Sequence, residues 1–307
     1  MTNSQFLKLL ATNRELIQRN NVHAIEHLQM LKNDYGHLTD PEVALNIELN
    51  NSLLEIHFHS NHEAAINNSL RVIEKHKDCE FQNLVARHYW LIGQSLTNRG
   101  EYEKAREYLL LSLKTVVPSG DYVVIKTDVL VGLAMNEEFE NRGKGTAIRY
   151  LEEALLLLDH DDYAIRKASC LMGMGNVYLN AENVDEALKN YHAAAETYER
   201  FFDLANMAGA YSNLGTCYIT LKDYAKAEKF LQKSLELRNK FGSPDHLAIS
   251  YYNLAMVYNC TDRPQLAFDV LKKSKELLER SGNLHYMEGY DEILEEILAK
   301  MPQLAAN

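Results

Sequence analysis

The 307-residue sequence has no stretch approaching eighteen uninterrupted apolar residues, and Ala154–Leu158 is too short to span a bilayer. Its N-terminus, MTNSQFLKLLATNRELIQ, lacks a basic start followed by an apolar run, so it does not read as a secretory signal. Proline and glycine are scarce at five and fourteen residues, and the apolar fraction is 46%, enough to build a core rather than a disordered chain. Basic charge is in deficit, with 32 Lys and Arg against 43 Asp and Glu. A surface at a net charge of −11, with no basic cluster beyond pairs such as Lys272-Lys273, repels phosphate backbones and anionic lipid. Neither nucleic acid nor membrane is therefore expected as a partner. The four cysteines, Cys79, Cys170, Cys217 and Cys260, form no close pair and suit reduced thiols in the cytoplasm. No nucleophile elbow, no H-E-x-x-H and no glycine-rich loop behind a strand occurs, so neither enzyme activity nor a cofactor is expected.

What the chain does have is periodicity. The stretch 210–242, AYSNLGTCYITLKDYAKAEKFLQKSLELRNKFG, reads as a helix carrying Leu214, Gly215 and Tyr218, then a polar turn through Lys222 and Asp223. A second helix follows, with Ala227, Leu231, Ser234 and Leu235 on one face. Three classes of position recur at forty residues: Ala187, Ala227 and Ala267; Tyr178, Tyr218 and Tyr258; Gly175, Gly215 and Ala255. Towards the N-terminus the small second-helix residue returns as Ala147, Ala105, Ala65 and Ala24. One such pair cannot bury its apolar stripe alone and must stack on similar pairs. The expected fold is all-α, with seven helix-pair units over residues 1–283 and a capping helix and tail over 284–307.

These residues resemble the tetratricopeptide repeat, which asks for a small residue where the first helix meets the second, an aromatic later in the first helix, and alanine at close crossings. Gly93, Gly175 and Gly215, the three tyrosines and the seven alanines answer that pattern over roughly residues 5–281. The first two units depart from it, with Thr12 and Leu53 in place of glycine and Glu15 and Ile56 in place of the aromatic. The resemblance implies a right-handed superhelical solenoid of stacked antiparallel helix pairs. The repeat exceeds the usual length of about 34. Asp40-Pro41 and Ser243-Pro244 account for the excess as N-caps followed by proline, starting first helices early. Such long first helices resemble those of bacterial peptide-sensing regulators, of bacterial multidomain signalling proteins and of some animal polarity adaptors.

Several stretches invite sharper readings. His57, His59 and His62 cluster in one turn, but no thiolate or carboxylate at metal-ligand spacing accompanies them, so a polar turn is preferred and no metal is expected. The segment NRGKG at 141–145 does not match a phosphate loop and reads as an inter-helix loop. Pro264 starts the last second helix, with Thr261 or Asp262 expected as its cap. Carboxylates are expected on solvent faces. Residues 287–300 read as an amphipathic helix that closes the last repeat, followed by a frayed tail, MPQLAAN.

Binding is where function is expected. Asn51, Asn213 and Asn253 recur at one place on the first helices, and Asn176 lies three residues further along its own. An amide side chain offers a donor and an acceptor to a peptide backbone. By resemblance to the long-helix groups these asparagines hold a ligand peptide; bracing of neighbouring helices is an equal alternative. Trp90 and Tyr252 join them as large, stiff contact residues, with Gln94 one turn on from Trp90. A lone tryptophan on a helix is more often core, and the polar neighbours Arg87 and Gln94 are what point to the groove. The carboxylate clamp of chaperone-binding repeats is absent, since its places hold Ser212, Tyr252, Met172 and Trp90. The sequence thus points to a non-catalytic scaffold for a protein or peptide partner. Alternatives are a sensory input domain of a bacterial signalling protein, and a self-assembling protein or homodimer joined through an uncovered end of the array. No DNA-reading segment precedes residue 40 and no output domain is visible, which favours the scaffold.

Overall fold

A computed structural model describes residues 2–18, 23–35, 40–57, 59, 61–76, 78–140, 144–241, 244–281 and 289–301. Most of these residues are helical, with no strand among them. The backbone divides into two compact units, residues 1–161 and 162–307. The first holds α1 (Asn3–Gln18), α2 (His23–Tyr35), α3 (Pro41–His57), α4 (His62–His76), α5 (Gln82–Asn98), α6 (Tyr102–Thr115), α7 (Tyr122–Phe139) and α8 (Lys144–Leu157). After a 3-10 turn at Asp161–Tyr163, the second holds α9 (Ala164–Asn180), α10 (Val184–Arg200), α11 (Leu204–Thr220), α12 (Tyr224–Phe241), α13 (Pro244–Cys260), α14 (Pro264–Ser281) and α15 (Tyr290–Ala299). Successive helices pack as pairs, α1 with α2 through to α13 with α14. First helices also touch along a row: α1, α3, α5 and α7 in one unit, α11, α13 and α15 in the other. This is the all-α stack of helix pairs that the repeat calls for.

The pairing rests on small residues at the crossings. Ala24, Ala65, Ala105, Ala147, Ala187, Ala227 and Ala267 are all fully buried on the second helices. Facing them, Gly93, Gly175 and Gly215 leave no room for a side chain. A Cβ on Gly215 would lie 2.6 Å from Leu231 Cγ, and one on Gly175 2.5 Å from the Tyr191 ring. In three of these pairs a buried serine then ties the crossing to the start of the first helix. Ser112, Ser234 and Ser274 donate their hydroxyls to the carbonyls of Ala86, Ala208 and Ala248 at 2.7, 2.8 and 2.9 Å. In the α9–α10 pair the serine's place is Ala194, and the buried Tyr198 hydroxyl meets Ser169 at 3.2 Å instead.

The turns inside the pairs share one design. Gly100, Glu182, Lys222 and Asp262 adopt left-handed φ values of 76, 61, 60 and 56°. The next amide reaches back to the carbonyls of Leu96, Tyr178, Tyr218 and Tyr258, each at 2.9 Å, which closes the first helix with a Schellman motif. The residue after the left-handed one then starts the second helix. Asn183 and Asp223 cap it through side-chain oxygens that accept the amides of Glu186 and Lys226. At the last such turn the expected cap is overturned. Asp262 is the left-handed residue and Thr261 donates to Val257 O at 2.8 Å, so neither caps α14; Pro264 at the first helical position dispenses with an amide that would need one. Asp40 does cap α3, accepting from the amides of Glu42 and Val43 at 2.9 and 3.2 Å.

Other expectations need adjustment. Ser243, residues 141–143 and residues 302–307 of the tail lie outside the described residues, while Lys144 and Gly145 belong to α8 rather than to a loop. Residues 287 and 288 also lie outside them, and the closing helix runs from Tyr290 to Ala299. Not every carboxylate is solvated: Glu137 is buried on α7, where Arg106 of α6 supplies its counter-charge. Pairing of that kind is what lets a charge enter a core.

His88 on α5 is fully buried, with its Nδ1 3.1 Å from Ser69 Oγ on α4. Burial disfavours its charged form and pulls its pKa from 6.5 to about 4. The unfolded chain takes up this proton first on acidification, so the stabilisation is whole above 6.5 and is lost as pH falls towards 4. Urea titrations of the wild type and His88→Gln are expected to diverge across that window by up to about 1.4 kcal/mol per pH unit. Parallel pH profiles would show that His88 is not the buried titrating group. Separately, Gly215→Ala is expected to lower stability by ~1–3 kcal/mol through overpacking against Leu231, read as a lower urea midpoint.

Candidate peptide-binding site

In the second unit α9, α11 and α13 present their asparagines half-buried. Asn176 Oδ1 accepts from Tyr191 OH at 2.7 Å and from Asn213 Nδ2 at 3.1 Å. Asn253 Nδ2 donates to Thr216 Oγ1 at 3.4 Å, and Thr216 itself donates to Ser212 O. Both rungs join residues 37 apart. A side chain on one first helix therefore meets the residue one turn away from its own equivalent on the helix before. Asn176 and Asn213 are brought together for this reason, and Asn253 is joined to Thr216. Thr216 did not stand out in the sequence, yet it sits forty residues after Asn176 and occupies the same rung position.

Tyr252 lies at the end of this row. Its half-buried ring packs among Ala255, Leu271, Tyr290 and Ile293, under α15. Burial, then the Glu292 carboxylate, raises its phenol pKa. α15 is latched there: Asn259 Nδ2 meets Glu296 Oε2 at 2.8 Å, Lys300 Nζ meets Asn259 O and Oδ1 at 2.7 and 2.8 Å, and Tyr290 OH donates to Leu271 O at 2.7 Å.

The other three residues belong to the first unit. Asn51 is half-buried on α3 beside the fully buried Asn50, whose amide donates to Leu10 O at 3.1 Å. Trp90 packs between two core clusters and gives its indole N–H to Asp128 O of α7 at 3.0 Å. Its polar end is thus spent on bracing two first helices, leaving part of the ring face exposed. Gln94, one turn further, is half-buried with its Oε1 unpartnered among the described residues. Among the described residues no hydrogen bond joins these three to one another. In the histidine turn His59 is exposed, while burial lowers the pKa of His57 and His62. Among the described residues no three His, Cys, Asp or Glu side chains gather as a metal site. No described helix is long and apolar enough to cross a membrane.

The tetratricopeptide repeat family models match residues 86–115, 168–202 and 206–280. The chain carries tetratricopeptide repeats. A search of the curated proteins finds no match. Among solved structures, the chain is similar to a Rap protein complexed with competence and sporulation factor. That likeness has a TM-score of 0.74 at 14% identity and covers 99% of this chain and 88% of the other. It is also similar to the apo form of the quorum sensor NprR from B. thuringiensis (0.64, 16%, 95% and 80%). A third likeness is to aspartyl phosphate phosphatase F from Bacillus subtilis (0.61, 14%, 100% and 85%). At these identities the likeness establishes the shared fold.

In the pair α9–α10, removing Asn176 takes one acceptor from both the Tyr191 hydroxyl and the Asn213 amide. Asn176→Ala is expected to cost ~1–3 kcal/mol, and Tyr191→Phe less, since it removes a donor and leaves no buried polar group behind. Thermal unfolding of the two variants checks the order.

Proposed function

We propose that this chain is a non-catalytic scaffold that holds a peptide, or an extended segment of a partner protein, along its row of first helices. The observation that carries the reading is the pair of rungs, Asn176 with Asn213 and Thr216 with Asn253: half-exposed amides and hydroxyls held in register one helix apart. Their mutual bonds keep the side chains oriented in the free protein, so little rotamer entropy is lost when a backbone replaces one of them. Tyr252 bounds that row in the second unit, and Trp90, Gln94 and Asn51 offer contacts in the first. Residues 1–283 supply the repeats on this reading, and 284–307 the cap. The four free thiols suit a reducing compartment.

A second reading, a sensory input domain, is favoured by the position of Tyr252. The same ring borders the row and supports α15, so a ligand pressing on it acts on the latch of Asn259, Glu296 and Lys300. The Rap neighbour was crystallised with a factor bound and NprR is named a quorum sensor, which fits either reading.

The test is calorimetric titration of a peptide selected by display against the whole chain. Asn213→Ala with Asn253→Ala is expected to weaken binding by ~1–3 kcal/mol with cooperative unfolding retained. Unchanged affinity in the double variant would sink the assignment.

A further inference from the structure

The first unit contains a cavity that the asparagine rows do not use. It is open, about 630 Å³ in volume, and lies where the N-terminal ends of α3, α5 and α7 meet α1. Bonds between neighbouring elements frame it: Asn3 Nδ2 to Asp40 Oδ2 and Asn83 Nδ2 to Ser119 O, both at 2.7 Å. The volume falls within the range of small-molecule sites, roughly 300–1,000 Å³.

Its lining carries charge of both signs at different depths. Glu42, in the first turn of α3, and Glu80, just before α5, stand at the helix starts. Burial, then the carboxylates of Asp40 and Glu80, push the Glu42 pKa up, so negative charge is in excess there. One turn further along α3, about 6 Å on, Asn46 Oδ1 accepts from Arg14 Nη1 at 2.6 Å while its own amide is fixed on Glu42 O. Arg87 lines the same depth, nine-tenths buried, and is paired with Asp121 at 3.0 Å and Asp128 at 4.0 Å. Arg14 has no such partner: among the described residues no carboxylate lies within 4.0 Å of its guanidinium. Burial, then the Arg87 charge, lowers its pKa to about 10, while the more distant carboxylates of Asp121 and Glu15 act the other way. A guanidinium offers five donors in a planar fork, and one of them is in use. A half-buried guanidinium with no carboxylate in contact is under-compensated, and a carboxylate is the group whose geometry matches the free side of that fork. Lys8 of α1, exposed, also lines the cavity; the crowding of Glu42 by Asp40 and Glu80 at the helix starts favours a cation beside the anion there.

We propose that this cavity binds a small zwitterion, a free α-amino acid or an unblocked short peptide, with its carboxylate on Arg14 and its ammonium beside Glu42 and Glu80. The site is independent of the asparagine rungs and stands or falls without them.

The whole chain is titrated, by thermal shift and then calorimetry, with each free amino acid and with pools of unblocked di- and tripeptides. At least one zwitterion is expected to raise the Tm, the class that does so telling amino acid from peptide. Its C-amide and N-acetyl forms are expected to bind about tenfold or more weakly, one charge contact being worth at least that factor. Arg14→Gln is expected to show a similar loss with circular dichroism unchanged. Glu42→Gln with Glu80→Gln, on the more open side, gives the same readout should Arg14→Gln prove unstable. Asn213→Ala with Asn253→Ala is expected to bind the zwitterion as the wild type does, which separates this site from the peptide row. No shift with any zwitterion, equal binding of sodium acetate or of the amidated form, or full binding by the charge variants overturns the proposal.

Discussion

Each helix pair is held by a crossing so close that only hydrogen or a methyl group fits between the backbones. Gly215 against Leu231 and Gly175 against Tyr191 leave less than 3 Å for a Cβ, and seven alanines face the same way with no exposed surface. Such contacts gain dispersion over many atoms at once, and they leave no space for water. The serine hydroxyls of Ser112, Ser234 and Ser274 satisfy backbone carbonyls that the crossing seals from solvent. The left-handed turns follow from the same constraint, since two long helices that cross tightly must reverse direction within a few residues. Three of the four turns place a residue other than glycine there, accepting local strain for a short connection.

From this crossing comes the register between successive first helices, and from the register comes any function the row can have. The rungs at 37 residues arise because each first helix sits about one turn displaced along its predecessor. A residue at a given repeat position therefore touches a different position on its neighbour. Asn253 reaches Thr216 rather than Asn213, and Asn259 reaches Glu296 on α15 by the same displacement. One geometric rule thus positions a half-exposed polar row and anchors the helix that ends it.

Charge enters the interior where it is paired, as with Glu137 and Arg106 on α7 and α6. Arg14 stands apart because a neutral amide, Asn46, is what meets it. The repeat consensus accounts for the paired groups as braces between helices. It has no place for a half-satisfied guanidinium over a cavity, such as Arg14 makes in the first unit.

Periodicity alone was enough to fix the helix pairs, their small-residue crossings and the all-α class, because spacing of Ala187, Ala227 and Ala267 reports packing that is local to each pair. The proline at 41 and the acid before it likewise announced the start of α3, since capping acts within one turn. What the letters could not carry was anything that depends on the offset between pairs. Thr216 as a rung partner, Trp90 spent on Asp128 O, Tyr252 beneath α15, and Arg14 brought near Arg87 from a segment over seventy residues away all follow from how one pair settles on the next. That offset is set by the summed shapes of many side chains, and only the tertiary structure decides it.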